Sequence, residues 1–254
     1  MNCETSAEIE ALRIWSLKVL RTMAASASMV RSETKPRLLD LFCGAGGAAR
    51  GYQQAGFYVV GVDNRPQPHY VGDEFYCADA LEFCAAHGAE FDVIHASPPC
   101  QAFTAMRNVN DARGRINAWP NLIPETRRVL MSLGLPFVIE NVQGAPLRTQ
   151  FILCGHALGL ERIARHRHFE SNVFVPRIAC THRRVNGLIG IYGERPDGHR
   201  TGPKRYKLNV TASSIEEARE AMGIDWMDWD EIREAIPPAY TVYISGWLLK
   251  ALAR

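Results

Sequence analysis

Short apolar runs alternate with longer mixed segments along most of the chain after residue 36. The runs read RLLDLF, FYVVGVD, FYCAD, FDVIHAS and PFVIEN, and the segments between them are long enough for helices. Strands buried on both faces read as continuous apolar runs, and helices connect strands that lie parallel. The pattern therefore predicts an α/β fold with a mostly parallel sheet, right-handed crossovers and helices on both faces.

The first 36 residues do not follow this pattern. AEIEALRIWSLKVLRTM has the spacing of an amphipathic helix, and AASASMVRSETKP is typical of a flexible linker. Glu4, Glu8 and Glu10 argue against a transit peptide, because such peptides are poor in acidic residues. We therefore predict a separate helix and linker in residues 1–36 and assign them no chemical role.

Composition limits the class of protein. A chain of 254 residues with 47% hydrophobic residues can bury the core of one α/β domain with an appendage. No apolar run approaches the roughly 20 residues that a membrane-spanning helix needs, so we expect no membrane partner. The seven cysteines have no repeated spacing, which favours a reducing cytoplasm over a disulfide-stabilised secreted protein.

The net charge of +2 is small, but the basic residues are unevenly distributed. Between residues 162 and 207 they greatly outnumber the acidic ones. Such a block is typical of a surface that binds a polyanion. Its candidate phosphate-binding side chains are Arg183, Arg184, Arg200, Lys204, Arg205 and Lys207.

The stretch LLDLFCGAGGAARGY predicts a buried strand, a glycine-rich turn and a helix. Gly44, Gly46 and Gly47 allow a tight turn and a close approach of the backbone to a ligand. Asp63 stands at the end of the second run, where an acid commonly accepts hydrogen bonds from a ribose. This arrangement favours a nucleotide-like cofactor; a purely structural turn and a helix-capping Asp63 are the alternatives. Asp79 ends the third run and suits either an adenine amino group or the cap of the next helix.

Two reactive side chains follow the next two apolar runs. FDVIHAS leads into Pro98-Pro99-Cys100-Gln101, and PFVIEN ends in Glu140-Asn141. Ligands of open parallel sheets bind beyond the carboxyl ends of the strands, so Cys100 and Glu140 should lie at the same edge as the glycine-rich turn. A thiolate can add to C6 of cytosine and activate C5, and an acid can assist by donating to N3. With S-adenosylmethionine as cofactor, this pair is suited to methylation of a ring carbon.

Four stretches of the chain resemble the DNA (cytosine-5) methyltransferase family, specifically its short phage and bacterial members. They are DLFCGAGG, SPPCQ, ENV and the Arg-x-Arg of ARHRHF, in the family's order and spacing over residues 37–169. The resemblance implies a Rossmann-like, S-adenosylmethionine-dependent methyltransferase fold, with Cys100 as the nucleophile and Glu140 on the N3 edge of cytosine. It also implies that Arg167 contacts the base and that Arg165 supports the site and a phosphate. The implied cofactor-binding residues are Phe42, Gly44, Gly46, Asp63, Asp79 and Pro99.

The chain departs from the family pattern at two places. Ile163 stands where a glutamine usually precedes the arginine pair, and the usual Gly-Asn-Ser/Ala-Val segment has no clear counterpart. EAIPPAYTVYISGWLL occupies the corresponding place and resembles the IPPAYT ending of phage-type members. We expect it to form a helix that closes the cofactor domain.

Two Cys-x-His pairs, Cys154-x-His156 and Cys180-x-His182, contain residue types that bind zinc. Neither pair has the spacing of a zinc finger, and LCGHALGL is typical of a packed strand or loop. We therefore expect no metal.

The combined interpretation is a cytosine C5 methyltransferase that acts on double-stranded DNA and flips its target base. Residues 37–171 are predicted to form the catalytic and cofactor-binding domain, 172–211 a small basic target-recognition segment, and 212–254 the closing helices. So small a recognition segment predicts a short target. The alternatives are a cytosine C5 methyltransferase of structured RNA and a catalytically silent DNA-binding or regulatory protein.

Overall fold

The computed structural model of the protein describes residues 35–103, 120–180, 182, 187–193, 196 and 210–254. These residues contain a seven-stranded sheet and a separate pair of short strands. The strands of the sheet are β1 (Arg37–Leu41), β2 (Tyr58–Asp63), β3 (Glu74–Cys77), β4 (Val93–Ala96), β5 (Phe137–Asn141), β6 (Phe151–Leu153) and β7 (Arg167–Ser171).

The sheet has the strand order β3-β2-β1-β4-β5-β7-β6. The first five strands in this order run parallel, and β7 pairs antiparallel with both β5 and β6. The five predicted apolar runs form these five parallel strands, which confirms the predicted α/β class. Strand β1 lies in the middle, where parallel strands need burial on both faces. In its register, Asp40 lies between Gly61 of β2 and His95 of β4.

Helices cover both faces of the sheet. The described helices are α1 (Gly47–Gln54), α2 (Ala80–His87), α3 (Ile123–Leu133), α4 (Ile215–Met222), α5 (Trp229–Ile232) and α6 (Pro238–Leu252). Leu38 of β1 belongs to a core that includes residues of α1 and α6, whereas Leu39 belongs to a core with residues of α2 and α3. Successive strand residues point to opposite faces, so one apolar strand supports both layers.

In the C-terminal segment, helix α6 packs directly on α1. A Cβ atom on Gly51 of α1 would lie only 2.1 Å from Oγ1 of Thr241 and 2.2 Å from the carbonyl oxygen of Pro238. Oγ1 of Thr241 also donates to the carbonyl oxygen of Ala48, at 2.8 Å. The lack of a side chain at Gly51 therefore permits the close approach of these helices.

A third apolar cluster joins α4 and α5 to Ile163, Ile189 and Ile191. Beside it, β8 (Ile189–Gly190) and β9 (Val210–Thr211) form the pair of short parallel strands. In the stretch GLIGIYG, the strand therefore spans only two residues. No helix within the described part of the chain has both the length and the apolar character that a membrane span requires.

Candidate active site

A cavity of about 750 Å³ opens at the carboxyl ends of the parallel strands. It is lined by the glycine-rich turn after β1, the ends of β2, β4 and β5, the start of β7 and the segment before α6. The predicted site residues that line it are Phe42, Gly44, Asp63, Asp79, Pro99, Cys100, Glu140 and Arg167. A second cavity, of about 690 Å³ around Val173 and Phe174, contains none of them. The chemistry predicted from the sequence is therefore gathered in the first cavity.

The glycine-rich turn has an unusual backbone. Phe42 has φ 58°, and Gly44 and Gly46 have φ 49° and 84°. The left-handed region is uncommon for a bulky residue such as Phe42, and such conformations cluster at ligand-binding turns. A Cβ atom on Gly46 would also lie 3.1 Å from the ring of Tyr70. Gly46 does not line the cavity. Its lack of a side chain leaves room for the Tyr70 ring to pack against the turn.

Asp63 and Asp79 both hold backbone amides beside the cavity. The Gly44 N–H donates to Oδ2 of Asp63 at 3.1 Å, and the Arg65 N–H donates to Oδ1 at 3.1 Å. Oδ1 of Asp79 accepts from the N–H groups of Leu81 and Glu82, both at 2.9 Å, and so caps α2. A carboxylate has about four acceptor positions, so each retains capacity for a ligand. Asp63 fastens the glycine-rich turn and does not cap a helix.

Trp226 is a further support of the turn that sequence reasoning missed. Its indole N–H donates to the carbonyl oxygen of Ala45 at 2.9 Å, and the Arg50 guanidinium lies 5.1 Å from the centre of its ring. Trp226 and Ala45 are distant along the chain, so no local pattern could have indicated the contact.

Asp40 is a buried carboxylate without a hydrogen-bond partner for either oxygen. It lines the cavity and is 1% exposed. Burial, with the nearby charge of Asp63, raises the pKa of Asp40 to about 8. An unpartnered buried acid is costly, and a cationic ligand would offset that cost. Sequence reasoning assigned Asp40 no role, although a charge inside the apolar run LLDLF was the available signal.

Cys100, Glu140 and Arg167 form the reactive end of the cavity. Nε of Arg167 lies 2.8 Å from Oε1 of Glu140, and both side chains are largely buried. The two groups form an ion pair, but the geometry is not that of a hydrogen bond. Burial and the charge of Glu140 raise the pKa of the Cys100 thiol, and Arg167 opposes the shift. Burial also raises the pKa of Glu140, against the effects of Arg167, Arg165 and a hydrogen bond from Ser97.

A buried polar chain leads from helix α1 to Glu140. The Tyr52 hydroxyl lies 2.8 Å from Nδ1 of His95, and Nε2 of His95 lies 2.9 Å from Oγ of Ser97. Ser97 in turn hydrogen-bonds Glu140. Burial lowers the pKa of His95 to about 3, so its imidazole is neutral in this chain. The chain fixes the position of the Glu140 carboxyl.

Asn141 connects the two strand ends that carry the reactive residues. Its Nδ2 donates to the carbonyl oxygen of Pro98 at 2.8 Å, and its Oδ1 accepts from the Val142 N–H at 2.9 Å. The residue is 1% exposed. This bond ties the turn before Cys100 to the end of β5 and thereby positions the thiol relative to Glu140.

Comparison with known proteins identifies the family. The family described as C-5 cytosine-specific DNA methylase matches residues 36–149. Type II methyltransferase M.HgiGI of Herpetosiphon aurantiacus is 30% identical over 124 residues, which cover 44% of this chain and 94% of that protein. The chain belongs to the C-5 cytosine-specific DNA methylase family.

Other relatives match over a smaller share of their length. Type II methyltransferase M.XorII of Xanthomonas oryzae pv. oryzae is 33% identical over 129 residues, which cover 44% of this chain and 29% of that protein. M.AgeI of Thalassovita gelatinovora is 29% identical, with 42% of this chain and 28% of that protein covered. The chain thus spans less than a third of the length of these two methyltransferases.

The solved structure of the S. pombe Dnmt2 methyltransferase has the same fold. The TM-score is 0.50 at 15% identity, and the match covers 86% of this chain and 99% of that one. At this identity the likeness bears on the fold alone. It agrees with the predicted Rossmann-like methyltransferase architecture.

The family's cofactor is S-adenosylmethionine, and the cavity suits it. The carboxylate of Asp40 has no other partner and complements a cationic ligand. The left-handed turn at Phe42 and Gly44 lines the cavity beside Asp63. The residues that would hold the cofactor are Asp40, Phe42, Gly44, Asp63, Asp79 and Pro99.

The departures from the family pattern have structural reasons. Ile163, at the usual glutamine position, is 2% exposed and packs in the third apolar cluster. The segment before α6 reaches the cavity, where Glu234, Ala235 and Ile236 contribute to the lining. The C-terminal segment therefore lines part of the cavity in addition to packing on α1.

The two predicted arginines have different surroundings. The guanidinium of Arg165 donates to the carbonyl oxygens of Arg233, at 2.5 Å, and Ile191, at 3.3 Å, and does not line the cavity. Burial and the adjacent Arg167 lower its pKa. Arg165 thus ties the segment before β7 to the segment before α6, outside the cavity lining. The six predicted DNA-binding residues, Arg183, Arg184, Arg200, Lys204, Arg205 and Lys207, lie outside the described residues.

Proposed function

We propose that the chain methylates C5 of cytosine in double-stranded DNA through a covalent Cys100 adduct, after the target base is flipped into the cavity. The observation that carries this proposal is the position of Cys100 beside the Glu140–Arg167 pair in the cavity that the glycine-rich turn lines. An acid, a cation and a nucleophile are the groups that this chemistry requires.

The proposed reaction begins when the Cys100 thiolate bonds to C6 of the flipped cytosine. Glu140 donates its proton to N3, so the electron pair of the C5–C6 double bond becomes available at C5. Bound S-adenosylmethionine supplies an electrophilic methyl group. After C5 accepts the methyl group it loses its proton to a base, the C5–C6 double bond re-forms as Cys100 leaves as a thiolate, and N3 returns its proton to Glu140.

The electrostatics of the free site agree with these roles. The raised pKa of Glu140 helps it to retain the proton that it donates. The raised pKa of Cys100 keeps the thiol protonated at neutral pH in the free protein. Since a thiolate is the reactive form, we propose that the thiol ionises only when the base occupies the cavity.

Replacement of Cys100 tests the nucleophile. Cys100→Ser should abolish methyl transfer, because a serine hydroxyl ionises far less readily, while the affinity for S-adenosylmethionine stays near the wild-type value. The measurements are transfer of a labelled methyl group to DNA and calorimetric titration of the cofactor. Cys77→Ser, at an exposed cysteine outside the cavity, is the matched control. Turnover by the serine variant would refute the covalent mechanism.

The adduct itself can be trapped. DNA that contains 5-fluorocytosine should form a stable covalent complex with the wild type, because fluorine cannot leave C5 as a proton does. Glu140→Gln should form this complex more slowly while cofactor affinity is unchanged, because an amide cannot transfer a proton to N3. Mass spectrometry of the complex identifies the attached cysteine. Equal loss of trapping and cofactor affinity would indicate a structural role for Glu140.

The nature of the acceptor is tested in the same assay. We propose duplex DNA, with residues 172–211 as the recognition segment and the cytoplasm as the location. Structured RNA, single-stranded DNA and duplex DNA of mixed sequence are compared as acceptors. Transfer to RNA alone would favour the RNA methyltransferase, and tight DNA binding without transfer to any acceptor would favour the silent binding protein. Sequencing of methylated cytosines from expressing cells then gives the target.

A further inference from the structure

Two cysteines and two histidines meet beside strands β6 and β7. Cys154 directly follows β6, His166 directly precedes β7, and Cys180 and His182 follow later in the chain. One ligand atom from each lies within 4.8 Å of those of the other three. Cys154 is buried and Cys180 is exposed. The methylation mechanism uses none of these four residues.

We propose that Cys154, His166, Cys180 and His182 bind one Zn²⁺ ion in a tetrahedral Cys₂His₂ site. Sγ of Cys154 lies 3.4 Å from Nδ1 of His182, and Sγ of Cys180 lies 3.4 Å from Nε2 of His166. The ligand atoms of a tetrahedral zinc ion are separated by about 3.3–3.8 Å, given its bond lengths to sulfur and nitrogen. Two of the sulfur–nitrogen distances therefore already match a bound ion.

The remaining short distance requires only a small adjustment. Sγ of Cys180 lies 2.5 Å from Nδ1 of His182, which is closer than two ligands of one ion. A movement of the His182 ring by about 1 Å would bring this pair to the tetrahedral separation. His182 is only half-buried and the neighbouring Cys180 is exposed, so this pair lies at the outer side of the cluster.

The ligand set is not the one that the sequence suggested. The Cys-x-His spacing indicated His156 as the partner of Cys154, and on that spacing we expected no metal. The fold instead brings in His166, from the far side of the turn between β6 and β7. The ring of His166 lies 4.9 Å from that of His182, whereas the His156 ring lies 6.5 Å away. The strand pair β6–β7 creates this proximity, because it turns the chain back on itself.

The position of His166 gives the site a structural role. His166 lies between Arg165 and Arg167, and its carbonyl oxygen accepts from the Arg167 guanidinium at 3.1 Å. Four protein ligands leave no open position for a substrate, which is typical of structural zinc. The ion would tie this pair of arginines to Cys180 and His182, which lie within the predicted recognition segment, residues 172–211.

Metal analysis of the full chain, purified without a histidine tag and under reducing conditions, tests the site. We expect about one zinc ion per wild-type chain, and less than about 0.2 in Cys180→Ala or His182→Ala. Cys180 is exposed, so its replacement should leave the core folded, which circular dichroism verifies. The controls are His156→Ala, at the alternative histidine, and Cys77→Ser, at an exposed cysteine elsewhere; both should retain the ion.

Cobalt substitution provides a readout that does not depend on methyl transfer. The zinc-free wild type titrated with Co²⁺ should show the visible absorption of a tetrahedral ion and thiolate-to-cobalt charge transfer, and Zn²⁺ should remove both. Cys180→Ala, which is expected not to retain the metal, should lose most of this spectrum. Absence of zinc and of the cobalt spectrum would overturn the proposal. A disulfide between Cys154 and Cys180 in protein from a reducing cytosol would overturn it too.

Discussion

At the scale of single residues, burial determines what each ionisable group can do. Asp40, Glu140 and Cys100 all have raised pKa values because burial disfavours their charged forms. In the proposed mechanism, the shift favours proton donation by Glu140 and keeps the Cys100 thiol protonated until the base is bound. For Asp40 it is a cost to the free protein, which has no partner for the carboxylate.

The Asp40 environment makes stability depend on pH. Its folded-state pKa of about 8 lies above the ordinary value of 3.8, so the folded protein retains a proton that the unfolded chain releases between these values. The free energy of unfolding should therefore fall as pH rises from about 4 to 8, by at most about 1.4 kcal/mol per pH unit from this group. Asp40→Asn should remove this component and be the more stable protein at pH 8.

Urea unfolding at pH 5 and pH 8, without cofactor, measures the effect. Asp225→Asn, at an exposed position, is the control. A difference between Asp40→Asn and the wild type that is the same at both pH values would contradict the assignment. Calorimetry should also show weaker S-adenosylmethionine binding by Asp40→Asn, since the amide does not neutralise a cation.

At the scale of elements, the site depends on how the ends of β4 and β5 are joined. Asn141 of β5 holds Pro98 after β4, and the His95–Ser97 pair connects β4 to Glu140. At the opposite end of β5, Asn172 makes a similar pair of hydrogen bonds. Its Oδ1 accepts from the Phe137 N–H, and its Nδ2 donates to the Leu135 carbonyl oxygen, both at 2.8 Å. The two asparagines thus hold opposite ends of one strand.

Replacement of each asparagine by alanine tests whether Asn141 positions the Cys100 thiol. Asn141→Ala should lower kcat by about 10-fold or more, because a misplaced thiol loses its orientation, and should cost about 1–3 kcal/mol of stability. Asn172→Ala removes equivalent bonds and should cost a similar or smaller free energy with kcat unchanged. Cofactor affinity should be unaffected in both. Methyl-transfer kinetics and urea unfolding measure the two quantities; an equal fall of kcat in both variants would assign Asn141 a purely structural role.

At the scale of the whole molecule, the proposed DNA complex should be largely electrostatic. The six predicted DNA-binding residues can neutralise several phosphates, and so small a recognition segment offers few side chains for base edges. If about four of these cations contact phosphate, a plot of the logarithm of the binding constant against the logarithm of the salt concentration should have a slope near −3 to −4.

Salt titrations of DNA binding test this prediction. Each Lys or Arg to Ala change at a phosphate contact should flatten the slope by about one. Arg128→Ala, on the exposed surface of α3, is a control outside the segment. Genome-wide methylation sequencing should find a core target of about two to four base pairs, each wrong pair costing about 1–3 kcal/mol. Binding that is indifferent to salt, or a fixed target of six or more base pairs, would place recognition elsewhere.

The sequence by itself determined the order of elements and the main chemistry. Apolar runs and glycines report local requirements, namely burial of a strand and a left-handed turn, which depend on few neighbours. Because parallel strands end at one edge of the sheet, the strand order alone was enough to bring Cys100 and Glu140 to the cavity of the glycine-rich turn. The family resemblance then indicated the reaction.

Only the tertiary structure decided which side chains meet. Asn141 with Pro98, Trp226 with Ala45, and Arg165 with Arg233 are contacts between residues 43, 181 and 68 positions apart. Likewise, the fold and not the spacing selects His166 over His156 for the proposed zinc site. Periodicity describes the face on which a residue lies, but a partner across the sheet depends on strand order, register and the packing of helices, which arise only when the whole chain is folded.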